Sequence, residues 1–131
     1  MNKVSTPAIH RKGWGFEKWI ENSEFYCGKI LHFKKGKRCS FHFHKLKTET
    51  FYLENGLVLI LHSFQDDIGL AIETILNPGN SFHIPVGLRH QVIALKNSNL
   101  FEFSLIILKP RAKTPTDGFR HKVLCFFLNS E

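Results

Sequence analysis

The chain is poor in the features that define several large protein classes. No stretch approaches the roughly 20 consecutive apolar residues of a membrane-spanning helix. The opening residues, MNKVSTPAIHRKGWG, have no apolar centre of the kind a signal peptide carries. A cytoplasmic protein without membrane contact is therefore expected. Cysteine is scarce: Cys27, Cys39 and Cys125 stand alone, at no metal-ligand spacing, so neither a disulfide framework nor a cysteine-based zinc site is expected. No segment of ten or more residues repeats its apolar positions at helical spacing. Acidic residues are outnumbered 11 to 18 by basic ones, for a net charge of +7. That balance suits an anionic partner or simply a basic soluble surface, and nucleic acid is not the expected partner. The one dense basic run, Lys34-Lys35-Gly36-Lys37-Arg38, reads as a turn and lacks the interleaved aromatics of a single-strand binding platform.

What is present points to β-structure. With 131 residues the chain suits one domain with a real core. Phenylalanine occurs 13 times, mostly within runs that alternate apolar and polar residues. Strands are expected over 25–33, 39–44, 70–76, 81–85, 89–95 and 100–108, with a hairpin over 49–63 turning at Asn55-Gly56. Residues 1–15 read as an irregular arm and 16–108 as the β-barrel. The tail, 109–131, ends in the apolar run VLCFFL, a candidate covering strand. Many short strands at regular spacing predict an all-β fold, a small antiparallel barrel or sandwich.

Strand parity puts His42 and His44 on one face of one strand. Glu49 opens the next strand, and His90 follows the bend Pro85-Val86-Gly87. Three imidazoles and a carboxylate can share one ion and leave positions for water or substrate. A surface histidine pair, a loop carboxylate and a hydrogen-bonded core histidine are alternatives that pattern alone leaves open.

The segment from Gly36 through His42, His44 and Glu49 to Gly56 resembles the first motif of the cupin family. The segment Gly79 through Pro85 and Gly87 to His90 resembles the second motif as far as its histidine. Where that motif often ends in asparagine, this chain has Ala94. The resemblance implies a double-stranded β-helix, or jelly roll, with His42, His44, Glu49 and His90 as ligands of one divalent metal: zinc, manganese, iron or nickel. Trp14-Gly15, followed by Glu17, is similar over a short stretch to the lead-in of cupins related to type II mannose-6-phosphate isomerases. The function this implies is isomerisation or epimerisation of a sugar or sugar phosphate. A non-catalytic small-molecule or metal-binding module and an iron-dependent dioxygenase are the alternatives.

Few other polar residues suit a cavity. Glu102 lies in the apolar strand LFEFSLIIL, where an unpaired carboxylate would be costly, and is the candidate base. Arg38, Arg89 and Lys29 are candidates for binding an acidic group of the substrate. From parity, Ser40, Phe51, Leu53, Val92 and Ala94 should point inward. Open sheet edges, and aromatics such as Phe16, Phe25, Phe126 and Phe127 in excess of one small core, predict a homodimer joined through paired edge strands.

Overall fold

The computed structural model describes residues 3–106. Cys125 and the run VLCFFL lie outside the described residues. The order is β1 (Ala8–Lys12), β2 (Gly15–Asn22), β3 (Cys27–Phe33), β4 (Lys47–Asn55), β5 (Val58–Ser63), a 3-10 turn at Ile68–Leu70, β6 (Ile72–Leu76), β7 (Ser81–Ile84), β8 (Arg89–Ala94) and β9 (Ser98–Ile106). They form a six-stranded sheet ordered β1-β2-β3-β9-β4-β7 and a three-stranded sheet ordered β6-β5-β8. Every strand pairing is antiparallel. The expected all-β jelly-roll class is the class observed. Among the described residues no helix is long and apolar enough to cross a membrane.

Alternation sets the two faces of the large sheet. Along β9, Ser98, Leu100, Glu102, Ser104 and Ile106 are buried, and the residues between them are at least partly exposed. Along β4 the inward set is Lys47, Glu49, Phe51 and Leu53. Phe51, Leu53, Val58, Ile60, Leu100 and Val92 close the core between the sheets. Trp14 covers one side of it, stacked on Phe33 at 4.0 Å between ring centroids.

Three expectations need correction. Residues 8–12 of the supposed arm form β1, paired with β2 around a tight turn at Gly13-Trp14. Gly15 permits this, because any Cβ there would collide with the His32 carbonyl of β3. The expected hairpin over 49–63 does not exist: β4 pairs with β7 and β9, whereas β5 pairs with β6 and β8. Asn55-Gly56 instead carries the chain from one sheet to the other. Gly56 has φ +97°, and a Cβ on it would strike Ser98 and the Asn97 carbonyl. The dipeptide signals a positive φ but not which sheet the chain enters next.

The third correction concerns the strand expected over 39–44. This segment runs antiparallel to β8 but touches it in only two isolated bridges, Arg38 with Ile93 and His42 with His90. Backbone bonds hold it there, including His42 N–H to His90 O at 3.1 Å and His90 N–H to His42 O at 2.8 Å. From Arg38 to His42 the segment takes four residue steps, and β8 takes three between the same bridges. One extra residue is a bulge, which shifts side-chain parity. Cys39 therefore lines the cavity beside His42, while Ser40 is exposed and not inward as expected.

Candidate metal centre

The bulged segment delivers His42 and His44, β8 delivers His90, and β4 delivers Glu49. One potential ligand atom from each histidine lies within 4.8 Å of those of the other two. Glu49 Oε1 is 3.0 Å from His44 Nε2 and 3.1 Å from His90 Nε2. Two ligand atoms about 2.1 Å from a shared ion at near right angles sit roughly 3 Å apart, so these spacings suit coordination.

Hydrogen bonds behind the rings orient them. His90 Nδ1 lies 2.9 Å from Leu88 O, and His42 Nδ1 lies 2.9 Å from Ser40 O. A carbonyl only accepts, so a neutral ring must carry its proton on Nδ1 and present a bare lone pair at Nε2. This is the arrangement by which proteins aim a metal-binding imidazole. Nε2 of His90 is fully buried and has no hydrogen-bond partner: its approach to Glu49 is short but poorly aligned for one. A buried nitrogen lone pair facing a carboxylate is unfavourable without a cation between them. His44 Nε2 is aligned to donate to Glu49, and a bound ion would displace that proton. The donor set fits one divalent metal.

Behind the ligands lies a buried charged row. Lys47 Nζ is 3.3 Å from Glu49 Oε2 and 3.2 Å from Glu102 Oε2, and Ser104 Oγ donates to the same Glu102 oxygen at 3.3 Å. Burial by itself would raise the Glu49 pKa, but the hydrogen bond from His44, the close approach of His90 and the Lys47 charge hold it well below the usual carboxylate range. Burial, then the neighbouring Glu49 charge, pushes Glu102 up to about 7 against the pull of Lys47 and Lys29. Burial would lower the Lys47 pKa, but the Glu102 and Glu49 carboxylates more than reverse this and raise it. Burial, reinforced by the neighbouring His90, lowers His42 to about 4. Burial also pushes the Cys39 thiol up to about 11, and its sulfur is not among the clustered ligand atoms.

The cavity holds about 500 Å³ including its open mouth. Its lining combines apolar Trp14, Phe33, Phe51 and Val92 with the three histidines, Glu49, Lys47 and Glu102. The four residues expected to share a metal and the candidate base are thus brought together. The three expected cations are not. Lys29 is buried 3.6 Å from Glu17 and 4.7 Å above the Trp19 ring, behind the cavity wall. Arg89 pairs with Asp66 at 2.8 Å and lies over Phe43. Arg38 is exposed. None of the three is among the residues that line the cavity. Sequence reasoning passed over Lys47, Lys12 and Glu17, which do line it. Lys47 shares the inward parity of Glu49, and that signal was available. Lys12 and Glu17 depend on the unexpected β1–β2 hairpin.

No family model matches the chain, and no curated protein matches it by sequence. Solved structures do match. KdgF from Halomonas sp. superposes with a TM-score of 0.64 at 15% identity, covering 80% of this chain and 96% of that one. An RmlC-like cupin from Shewanella frigidimarina gives 0.63 at 15%, covering 79% and 86%. The chain has the cupin fold. A third match is the capsular polysaccharide assembling protein CapF from Staphylococcus aureus, with a TM-score of 0.65 at 18% identity. It covers 83% of this chain but only 32% of that larger one. At such identities the likeness extends to the fold alone. The metal site of this cupin-fold chain rests on its own histidines.

Proposed function

We propose that the protein is a metal-dependent cupin that isomerises or epimerises a sugar or sugar phosphate, with His42, His44, His90 and Glu49 as the metal ligands. What carries this reading is Glu102, a buried carboxyl that lines the same cavity as the histidine cluster and whose pKa burial and the Glu49 charge push up to about 7. Moving a proton between neighbouring carbons of a sugar needs a group that both takes and returns it near neutral pH, and a carboxyl so poised does both. Lys47, 3.2 Å away, stabilises the ionised form of Glu102 each time the proton leaves it. Apolar Trp14, Phe33 and Phe51 in the cavity lining limit the access of water to the exchanging proton. A bound divalent ion would supply Lewis acidity to a substrate carbonyl. Half-buried Lys12, 3.7 Å from Glu17 at the cavity wall, is the cation best placed for an acidic substituent. Lys29 supports it through Glu17, and Arg38 and Arg89 would meet only a substrate that extends beyond the cavity. CapF and the RmlC-like cupin share the fold, and the first assembles a polysaccharide, which favours a carbohydrate.

The test is incubation of metal-loaded protein with aldose and ketose phosphates, and the free sugars, in deuterated water. Deuterium should enter at the carbon beside the carbonyl. Glu102→Gln should slow this on the order of 100-fold without changing metal content. Ligand binding without exchange would point instead to a binding module, and iron-dependent oxygen consumption to a dioxygenase. Either result would overturn the proposal.

A further inference from the structure

The stretch that carries His42 and His44 is the least regularly paired part of the centre. β4 and β8 present Glu49 and His90 from continuous ladders, whereas residues 38–44 meet β8 in two isolated bridges. Main-chain bonds at its ligand-bearing end are the pair exchanged by His42 and His90, and Gly87 N–H to His44 O at 2.9 Å. Three imidazoles at ligand spacing therefore depend on a segment with little ladder of its own.

A side chain reinforces the segment from the other face. Arg89 directly precedes His90 on β8, and neighbouring strand residues point to opposite faces, so it projects away from the cavity. Its guanidinium carbon lies 3.8 Å from the ring centroid of Phe43, the residue between His42 and His44. That is well inside the range of a cation–π contact. Nη1 donates to Gly87 O at 2.8 Å, and Nε donates to Asp66 Oδ1 at 2.8 Å. The contacts close a ring: Arg89 to Gly87 O, Gly87 N–H to His44 O, His44 along the chain to Phe43, and Phe43 back to Arg89. Only a planar guanidinium can stack on a ring and donate from its edge at the same time. Asp66 is exposed, so its pairing is screened and serves mainly to orient the guanidinium.

We infer that Arg89 is a positioning residue of the metal centre: stacked on Phe43 and bonded to Gly87, it fastens the His42–His44 segment to β8 and so holds the three imidazoles at ligand spacing. The inference rests on those histidines being metal ligands and is independent of the sugar chemistry. Contact, not charge, is the reason for the residue. A fixed cation beside a ligand repels a divalent ion, so through its field alone Arg89 would weaken the site. The two roles thus predict opposite signs when the side chain is removed.

The test is titration of Zn²⁺, Mn²⁺, Fe²⁺ and Ni²⁺, each singly, into chelator-treated full chain by calorimetry, with the rate of metal loss to excess chelator measured beside it. Arg89→Ala and, separately, Phe43→Leu should weaken binding at least about tenfold and speed metal loss, as the loss of groups that orient ligands does. Arg89→Lys keeps the charge without the plane and should fall between Arg89→Ala and the wild type. The double variant should bind no more weakly than Arg89→Ala alone, because either change breaks the same contact. Arg38→Ala removes an exposed cation from the same segment and should not weaken binding. Melting of the metal-free variants should stay cooperative and close to the wild type. Unchanged or tighter binding in Arg89→Ala overturns the inference. So does full rescue by lysine, strict additivity in the double variant, or an equal loss in Arg38→Ala. A wild type that binds none of the four ions overturns the ligand assignment and this inference with it.

Discussion

At the scale of single residues, the centre depends on groups that cannot be exchanged for one another. His90 presents a buried Nε2 with no hydrogen-bond partner, held by its Nδ1 bond to Leu88. His44 and His90 both approach one oxygen of Glu49, and Lys47 holds the other. Replacing His44 or His90 by alanine should remove most of the bound metal and leave the β circular dichroism in place. Mass-spectrometric metal analysis checks this, and full occupancy in both variants would sink the assignment. Lys47 acts differently. In Lys47→Met the carboxyls of Glu49 and Glu102 stay buried and lose the ammonium that pairs with both. Breaking one partner from a buried ion pair costs about 3–5 kcal/mol. The variant should therefore lose a large part of its stability in urea melts, and more so at pH 8 than at pH 5, where Glu102 is free to stay protonated. Equal loss at both pH values would mean that the cation matters little to Glu102.

At the scale of elements, the bulge between Arg38 and His42 decides which side chains reach the cavity. Period-2 alternation is read from sequence with confidence only while pairing is continuous. The pattern His42-Phe43-His44 correctly gave one shared face because those residues follow the bulge. It failed at Ser40, which lies within it. Nothing in the residues Cys39-Ser40-Phe41 announces an extra step; it appears only against the register of β8. The missing β4–β5 hairpin is a similar case. Asn55-Gly56 fixes a local backbone shape, and the choice of sheet belongs to long-range packing of Phe51, Leu53, Val58 and Ile60 in one core. Glu49 and Glu102, by contrast, were legible because β4 and β9 are regular where they pair. The bulge makes its own prediction. Deleting Ser40 should remove the extra residue, restore even pairing with β8, and turn either the histidines or Cys39 away from the cavity. Metal binding measured by calorimetry should fall at least about tenfold, with melting still cooperative. Unchanged affinity would show that the segment re-forms its bulge elsewhere.

At the scale of the whole molecule, the buried ionisable groups set how stability responds to pH, and they pull in opposite directions. In chelator-treated protein, His42 has a folded pKa of about 4 against 6.5 in the unfolded chain. The unfolded state then binds the extra proton, so this contribution is complete above pH 6.5 and is lost as pH falls toward 4. Glu102 is the reverse, with a folded pKa of about 7 against an ordinary 4.5. Here the folded state binds the extra proton, so stability is gained as pH falls from 7 to 4.5. Glu49, held well below its usual value, adds a loss confined to pH below 4.5. Between pH 7 and 4.5 the histidine and the carboxyl should largely offset one another, giving the wild type a shallow melting profile. Glu102→Gln removes the offset and retains a neutral side chain of the same shape. Its melting temperature should therefore fall more steeply than that of the wild type as the buffer is taken from pH 7 to 4.5. The two profiles should run parallel above pH 8 only if Lys47 still pairs with Glu49 in both proteins. Parallel profiles across the acidic window would mean that Glu102 titrates as an ordinary carboxylate. The near-neutral base would then be lost from the proposed chemistry, while the histidine cluster would be untouched.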